Sequence, residues 1–211
     1  RAVAWSHAGR ATYCAEGLVN FSAGTFNWLR DQLRLVQSTD ELASLACSVP
    51  DSGGVYLVPA FAGLSTPYWQ AGARGALGGV SAHSTQAHVA RAALESVAFQ
   101  LRDVFESMRA ALGTTLSSVH VDGGASRNEQ LVQLIADQLG VSLVVSKMPD
   151  CSALGAAMAG LLGLGMVRSL DDLRAFPQSG RRVSPATDRK RPDRDYAGWR
   201  RAVRQVLAGV E

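Results

Sequence analysis

The sequence predicts an α/β fold in which a mixed sheet is flanked by helices. Two observations support this prediction. From Ser117 to Gly165, short β-like runs alternate with helical segments and the connections between them are brief, which is typical of strand–helix units built around a sheet. In addition, hydrophobic residues make up 47% of the 211 residues, so the composition supports a sizeable core.

The first half of the chain predicts a strand pair, three helices and one buried strand, from the spacing of its apolar residues. The predicted elements are a strand pair within 1–21, a helix over 22–36, a helix capped by Thr39 or Asp40, a strand over 55–61 and a helix over 84–112. The helix over 84–112 is the longest periodic segment. Ser84 or Thr85 can cap its start, and Gly113 can end it.

The second half predicts shorter units that follow one another closely. They are strands over 117–122 and 141–146, helices over 126–140 and 152–165, a loop-rich segment over 168–192 and a final helix over 192–210. Pro192 suits the first turn of that final helix, and Trp199, Val203 and Val206 give it an apolar face. The helix over 152–165 is rich in glycine and alanine, so we expect it to pack closely against its neighbours.

Charge and composition argue against several classes of function. The formal net charge is +3, and much of the excess lies in 181–204 without a second basic stripe elsewhere, so we expect no nucleic-acid partner. The longest apolar stretch, 153–167, is broken by glycines and is shorter than the roughly 20 residues of a membrane span, so we expect no membrane partner. The three cysteines form no metal-binding pattern, and we expect reduced, mostly buried thiols in a cytoplasmic protein.

The segment VHVDGGASRNEQL, residues 119–131, is the first candidate for a ligand site. A predicted strand ends at Asp122, two glycines follow, and Ser126 with Glu129 matches the S-x-x-E pattern of a capping box that would start a helix. Glycines here let a ligand approach the backbone, and the N–H groups at a helix start attract anions. Because the same pattern also makes an ordinary turn, the residues alone leave both interpretations open.

Other segments contain candidate residues with equally open interpretations. Ala23 and Asn27, at the start of the helix over 22–36, fit either an exposed helix cap or a second wall of the same cleft. Arg74 fits a phosphate ligand or, more simply, a salt bridge. Glu95 lies at the edge of an apolar helical stripe, where an acid is usually paired. No nucleophile–base pair, carboxylate pair or metal-binding cluster is evident, so the residues alone define no catalytic set.

Six segments, in order along nearly the whole chain, resemble the FGGY carbohydrate kinases, and among them the glycerol kinases. These segments are YCAEGLVNFSAGTFNWLRD at 13–31, PYWQAGARG at 67–75, GALGGVSAHSTQAHVARAALE at 75–95, VDGGASRNEQLVQLIADQLG at 121–140, SALGAAMAGLLGLG at 152–165 and YAGWRRAV at 196–203. Each match alone would be weak, but six matches in the same order are specific.

The resemblance implies that residues 1–211 form the C-terminal nucleotide-binding domain of a two-domain kinase with an actin-like, RNase H-like ATPase fold. Such kinases use ATP and Mg²⁺ to phosphorylate a terminal hydroxyl group, most often of glycerol in the members resembled here. The N-terminal domain, with the catalytic aspartate and most contacts to the polyol or sugar, would lie upstream of Arg1. We therefore assign no catalytic residue and expect the chain alone to be inactive. The exposed interdomain face also favours self-association into a homo-oligomer.

The resemblance also implies five nucleotide-binding residues, which are Gly123, Gly124, Asn128, Asn27 and Ala23. Gly124 and Asn128 match the glycine and asparagine that contact the adenosine part of ATP, so the glycine turn would face adenosine rather than the phosphates. Asn27 stands where the family has glutamine, and Ala23 where it has glycine. No metal ligand is assigned. Two alternatives stay open, a kinase of a pentulose or another polyol and a non-catalytic actin-like interaction module.

Overall fold

Strands and helices alternate along the chain. The structure, a computed structural model, describes residues 2–7, 9–148, 150–175, 180–186 and 188–210. Within them the elements are β1 Ala2–His7, β2 Arg10–Cys14, α1 Gly24–Asp31, α2 Thr39–Cys47, β3 Tyr56–Val58, β4 Ala76–Gly78, α3 Gln86–Leu112, β5 Ser118–Val121, α4 Glu129–Leu139, β6 Ser142–Ser146, α5 Cys151–Gly163, β7 Gly180–Val183 and α6 Lys190–Ala208. Residues 176–179 and 187 of the predicted loop-rich segment, together with Arg1, lie outside the described residues.

A three-stranded mixed sheet organises the second half of the chain, with the strand order β5–β6–β7. β5 runs parallel to β6, with Val119 opposite Leu143, and β6 runs antiparallel to β7, with Leu143 opposite Val183. α4 connects the two parallel strands, as a parallel pair requires. The prediction of a mixed sheet flanked by helices is therefore confirmed. β7 lies inside the predicted loop-rich segment, where its four residues are too short to show a strand pattern.

The long helix α3 lies at the centre of the main hydrophobic core and packs against α2 and α4. Its boundaries agree with the prediction. Thr85 is the N-cap in a capping box with His88, and Gly113 ends the helix in the left-handed conformation, with φ 62°. Leu94 and Val97 of its apolar face are both buried. This core supports both walls of the cleft described below, because α2 on one side and α4 on the other both pack on α3.

A second hydrophobic cluster attaches α6 to the rest of the domain. Trp199 is 0% exposed and stacks on Phe99 of α3 at a centroid distance of 5.5 Å. Val203 is buried in the same cluster, and Val206 packs against it. The predicted apolar face of the final helix is confirmed, and Pro192 lies in the first turn of α6, which begins at Lys190.

Two helices differ from their predictions. The helix predicted over 22–36 ends at Asp31. Arg34 adopts φ 51°, which an α-helix does not accommodate, so the helix could not have continued to Val36, and Leu33 is 51% exposed. α5 does not pack closely, since none of its described residues is buried and the space beside Gly155 is open.

The cysteines also differ from the prediction of mostly buried thiols, because Cys47 is exposed and Cys14 and Cys151 are only half-buried. Cys47 lies at the end of α2, so its thiol is on the surface of the helix rather than in the core. Among the described residues, no helix combines the length and the apolar character that a membrane crossing requires.

Gly198 is a site where a single methyl group is expected to destabilise the fold. A Cβ atom there would lie 1.9 Å from the hydroxyl oxygen of Tyr56, which donates a hydrogen bond to the carbonyl oxygen of Asp195 at 3.1 Å. We expect Gly198→Ala to lower the free energy of unfolding by about 1–3 kcal/mol through overpacking. Gly155→Ala, also inside a helix but in open space, should instead raise it by up to ~1 kcal/mol. Urea denaturation followed by circular dichroism measures both, and equal effects would contradict this account.

Candidate functional site

A cleft of about 900 Å³ opens between the N-terminal ends of three helices. One wall comes from the starts of α1 and α2, and the other from the 3₁₀ turn Gly124–Arg127 and the start of α4. Four of the five residues predicted to bind a nucleotide line this cleft, namely Ala23, Asn27, Gly124 and Asn128. The fifth, Gly123, directly precedes Gly124 in the chain. The structure thus brings together residues that are about 100 positions apart in the sequence.

The N-cap of α4 is Asn128, not Ser126. The side-chain oxygen of Asn128 accepts a hydrogen bond from the backbone N–H of Leu131 at 3.0 Å, which is the geometry of an N-cap. The hydroxyl of Ser126 instead donates to the carbonyl oxygen of Gly123 at 2.7 Å and closes the 3₁₀ turn. The predicted capping box between Ser126 and Glu129 is therefore wrong, and the helix begins three residues later, at Glu129.

The two glycines have different roles in the turn. Gly123 has φ 95°, a conformation that side chains with a Cβ rarely adopt, so glycine is required there by the backbone. Gly124 has no such requirement. A Cβ atom on either residue would meet nothing within 4 Å. The surface above both glycines is thus open to a ligand that approaches the backbone.

Asp122 ties the glycine turn to α5. Hydrogen bonds from the backbone of Gly123 and from Cys151 hold the pKa of the Asp122 carboxyl below its usual range. The Cys151 backbone N–H lies 3.3 Å from that carboxylate. The end of β5, the turn and the start of α5 are therefore connected at one point next to the cleft.

The α4 side of the cleft presents hydrogen-bond donors. The oxygen of the Asn128 side chain is already used as the cap, so its NH₂ group is left for a ligand. The side-chain oxygen of Gln130 accepts from the thiol of Cys47, which likewise leaves an NH₂ group. Arg127 also lines the cleft. The carboxylate of the neighbouring Glu129 forms an ion pair with Arg181 at 3.6 Å.

The α2 side presents acceptors. The hydroxyl of Ser44 donates to the backbone oxygen of Asp40 at 3.0 Å, which leaves only the lone pairs of the hydroxyl for a ligand. Asp40 lines the cleft and is exposed, and no donor to its carboxylate is found in the described part of the chain. Sequence reasoning missed this wall, because it treated Thr39 or Asp40 as the helix cap. The cap is Ser38, whose hydroxyl accepts from the backbone N–H of Glu41 at 3.1 Å.

The cleft residues at the start of α1 make fewer side-chain hydrogen bonds. Ala23 occupies the N-cap position, where its backbone oxygen accepts from Phe26 at 3.0 Å. The side chain of Asn27 is exposed, and no hydrogen bond to it is found among the residues that the structure describes. Its amide is therefore free to meet a ligand as a donor or as an acceptor.

Two candidates outside the cleft have structural roles. Arg74 donates to the carbonyl oxygens of Ala71 and Ala73 at 3.1 and 2.8 Å. The predicted salt bridge is thus wrong within the described part of the chain. Glu95 pairs with Arg91 at 2.7 Å, as predicted for an acid on this stripe. Burial raises the pKa of Glu95, and the Arg91 guanidinium opposes that shift.

The described residues contain no group of three or more histidine, cysteine, aspartate or glutamate side chains that could hold a metal ion. We assign none of the described residues as a Mg²⁺ ligand.

The fold and the cleft together define a class of protein, an α/β domain with an open cleft at the N-terminal ends of its helices. The family described as "FGGY family of carbohydrate kinases, C-terminal domain" matches residues 2–164. The chain belongs to this family, and the resemblance inferred from its six motifs is confirmed.

Individual relatives agree with this membership. The chain is 45% identical over 205 residues to a glycerol kinase of Dechloromonas aromatica (strain RCB), which covers 97% of this chain and 41% of that protein. It is 43% identical over 209 residues to a glycerol kinase of Burkholderia ambifaria (strain MC40-6), which covers 99% of this chain and 42% of that protein. The chain thus spans about two-fifths of the length of the curated relatives it matches.

Solved structures show the same fold. The structure of Plasmodium falciparum glycerol kinase with ADP superimposes with a TM-score of 0.78 at 28% identity, covering 88% of this chain and 37% of that one. A xylulose kinase from Rhodospirillum rubrum gives 0.74 at 25% identity, covering 90% of this chain and 39% of that one. The predicted actin-like ATPase fold is thereby confirmed.

Proposed function

We propose that this chain is the ATP-binding half of a glycerol kinase, and that the cleft between α1, α2 and α4 holds the adenosine part of the nucleotide. One observation carries the proposal. Four residues that the family motifs assign to nucleotide binding, from two distant segments, line a single open cleft. Asn128 offers its NH₂ group there, and Gly124 leaves the backbone accessible.

Glycerol is the proposed substrate because the relatives at 43–45% identity are glycerol kinases. The fold alone does not discriminate, since a xylulose kinase superimposes nearly as well as the glycerol kinase from Plasmodium falciparum. A kinase acting on a pentulose is therefore the second candidate. Comparing turnover of glycerol and of xylulose by the whole protein separates the two.

The proposed reaction transfers the γ-phosphoryl group of ATP to a terminal hydroxyl of glycerol, with Mg²⁺ as the metal. The residues of this chain bind and orient the adenosine end of ATP. The general base, the Mg²⁺ ligands and the polyol contacts would come from a second, N-terminal domain. Since the proposed second domain would supply the rest of the binding surface, the 211 residues by themselves should bind nucleotide weakly and should not catalyse transfer.

We expect the 211-residue chain to bind ADP at millimolar concentration and to produce no glycerol-dependent ADP from ATP. Saturation-transfer NMR measures the binding, and a coupled ADP assay measures the turnover. Gly124→Val should weaken ADP binding by ~10-fold or more, because its side chain would occupy space that is open to the ligand. Gly155→Val, the same substitution in open space on α5, should leave binding unchanged. Absence of saturable ADP binding, or equal binding by both variants and the unmodified chain, would contradict the proposal.

A further inference from the structure

The two walls of the cleft differ in hydrogen-bonding character. On the α4 side, Asn128 and Gln130 have their oxygens engaged and present NH₂ groups, and Arg127 adds a guanidinium. On the α2 side, Ser44 has its proton engaged, and Asp40 presents a carboxylate. A ligand that fills this cleft thus meets NH₂ donors on the α4 side and the Asp40 carboxylate on the α2 side. Thr39, whose hydroxyl can donate or accept, and Glu129, which lies beside Arg181, also line the cleft.

Adenosine can meet that demand through its base. The exocyclic 6-amino group is the donor on the base, the ring nitrogens and the phosphates accept, and the ribose hydroxyls can do either. The amino group therefore suits the α2 wall, and the acceptor atoms suit the α4 wall. A 6-oxopurine such as hypoxanthine carries an acceptor oxygen where adenine carries the amino group, and its nearest donor is the N1–H. In the same placement of the base it would therefore put an oxygen against the carboxylate.

We propose that Asp40 is a specificity-determining residue, whose carboxylate accepts a hydrogen bond from the 6-amino group of adenine and disfavours 6-oxopurines. This inference rests on the proposed nucleotide binding and assigns the recognition of the base to α2. Asp40 is exposed in this structure. A base that covers Asp40 would displace water from the carboxylate, and an analogue without the amino group would then leave that acceptor without a donor. Asp40 suits this role because its carboxylate has no donor from the described part of the chain.

The carboxylate of Glu129 offers a matched comparison within the same cleft. It lies on the opposite wall, 3.6 Å from Arg181. Removing Glu129 changes the net charge of the cleft as much as removing Asp40 does. Only the removal of Asp40 takes away the acceptor that faces the amino group. The pair of variants therefore separates recognition of the base from a general effect of charge.

The test compares ADP with IDP, which differ at position 6 of the base, in the 211-residue chain and its variants by ligand-observed NMR titration. We expect the unmodified chain to prefer ADP by ~10-fold or more. Asp40→Ala should weaken ADP binding and remove the preference. Asp40→Asn, whose amide can donate or accept, should bind both nucleotides about equally. Glu129→Ala should change the affinities for both by the same factor and keep the preference.

The outcomes distinguish the two proposals. If the unmodified chain binds ADP and IDP equally, or if Asp40→Ala keeps the preference for ADP, the role of Asp40 is overturned and nucleotide binding stands. If the chain binds neither nucleotide, the proposed function of the cleft fails, and the role of Asp40 fails with it. Circular dichroism of each variant verifies that the fold is retained.

Discussion

Asp103→Ala is expected to lower the free energy of unfolding by about 3–5 kcal/mol, a large part of the stability of a domain. Asp103 is 4% exposed on α3. Its carboxylate accepts hydrogen bonds from the hydroxyl of Tyr196 at 2.5 Å and from the indole N–H of Trp199 at 2.7 Å, both on α6. Alanine would leave two donors without a partner next to the fully buried Trp199, and unpaired buried donors are costly.

Asp103→Asn is the matched variant, because it keeps the shape of the side chain and one acceptor oxygen. We expect it to cost less than alanine, about 1–3 kcal/mol, since one of the two donors keeps a partner. Tyr196→Phe removes one donor and should cost about 1 kcal/mol. Denaturation in urea gives all three values. If alanine and asparagine cost the same, the hydrogen bonds to Tyr196 and Trp199 would not be what holds α6 in place.

The pH dependence of stability offers a second check on Asp103. Burial raises its pKa above the ordinary value, although the hydrogen bonds from Tyr196 and Trp199 partly oppose this shift. Because the folded state then binds the proton more tightly than the unfolded state, the stability from this group is present below the ordinary pKa and is lost as the pH rises through the raised pKa. The wild-type chain should therefore lose more stability than Asp103→Asn over that interval.

Local sequence patterns were sufficient where the structure is determined locally. α3 was predicted with its cap at Ser84 or Thr85 and its end at Gly113, because a long segment with one apolar stripe leaves little ambiguity. The apolar face of α6 was likewise visible from Trp199 and Val203. The start of α4 was less certain from sequence, since Ser126 and Asn128 are both good cap residues, and only the bond from Ser126 to Gly123 decides between them.

The cleft itself required both the family motifs and the fold. Motif matching gave Ala23, Asn27, Gly124 and Asn128, but it could not show that α2 forms the opposing wall. Asp40 joins the site because α2 packs on α3 beside α4, a long-range arrangement that periodicity does not report. The same limitation explains α5, whose small residues suggested close packing although its described residues remain unburied.

Asn128→Asp is expected to separate the two roles of Asn128, which caps α4 through its oxygen and faces the cleft with its NH₂ group. Aspartate caps helices about as well as asparagine, so the free energy of unfolding should change by less than ~0.5 kcal/mol. The NH₂ donor is replaced by a carboxylate oxygen, which would face an acceptor atom of the nucleotide. Affinity for ADP should therefore fall by ~10-fold or more.

Asn128→Ala should remove both roles, with a loss of about 1 kcal/mol in stability and a similar loss of ADP affinity. Asp150→Ala provides the control for stability, because Asp150 caps α5 in the same way, accepting from the backbone N–H of Ala153 at 2.9 Å, and does not line the cleft. It should destabilise the chain by about 1 kcal/mol without changing the affinity for ADP. If Asn128→Asp binds ADP as well as the unmodified chain does, Asn128 acts only as a helix cap. The nucleotide contact would then have to come from Gly124 and the residues of α1 and α2.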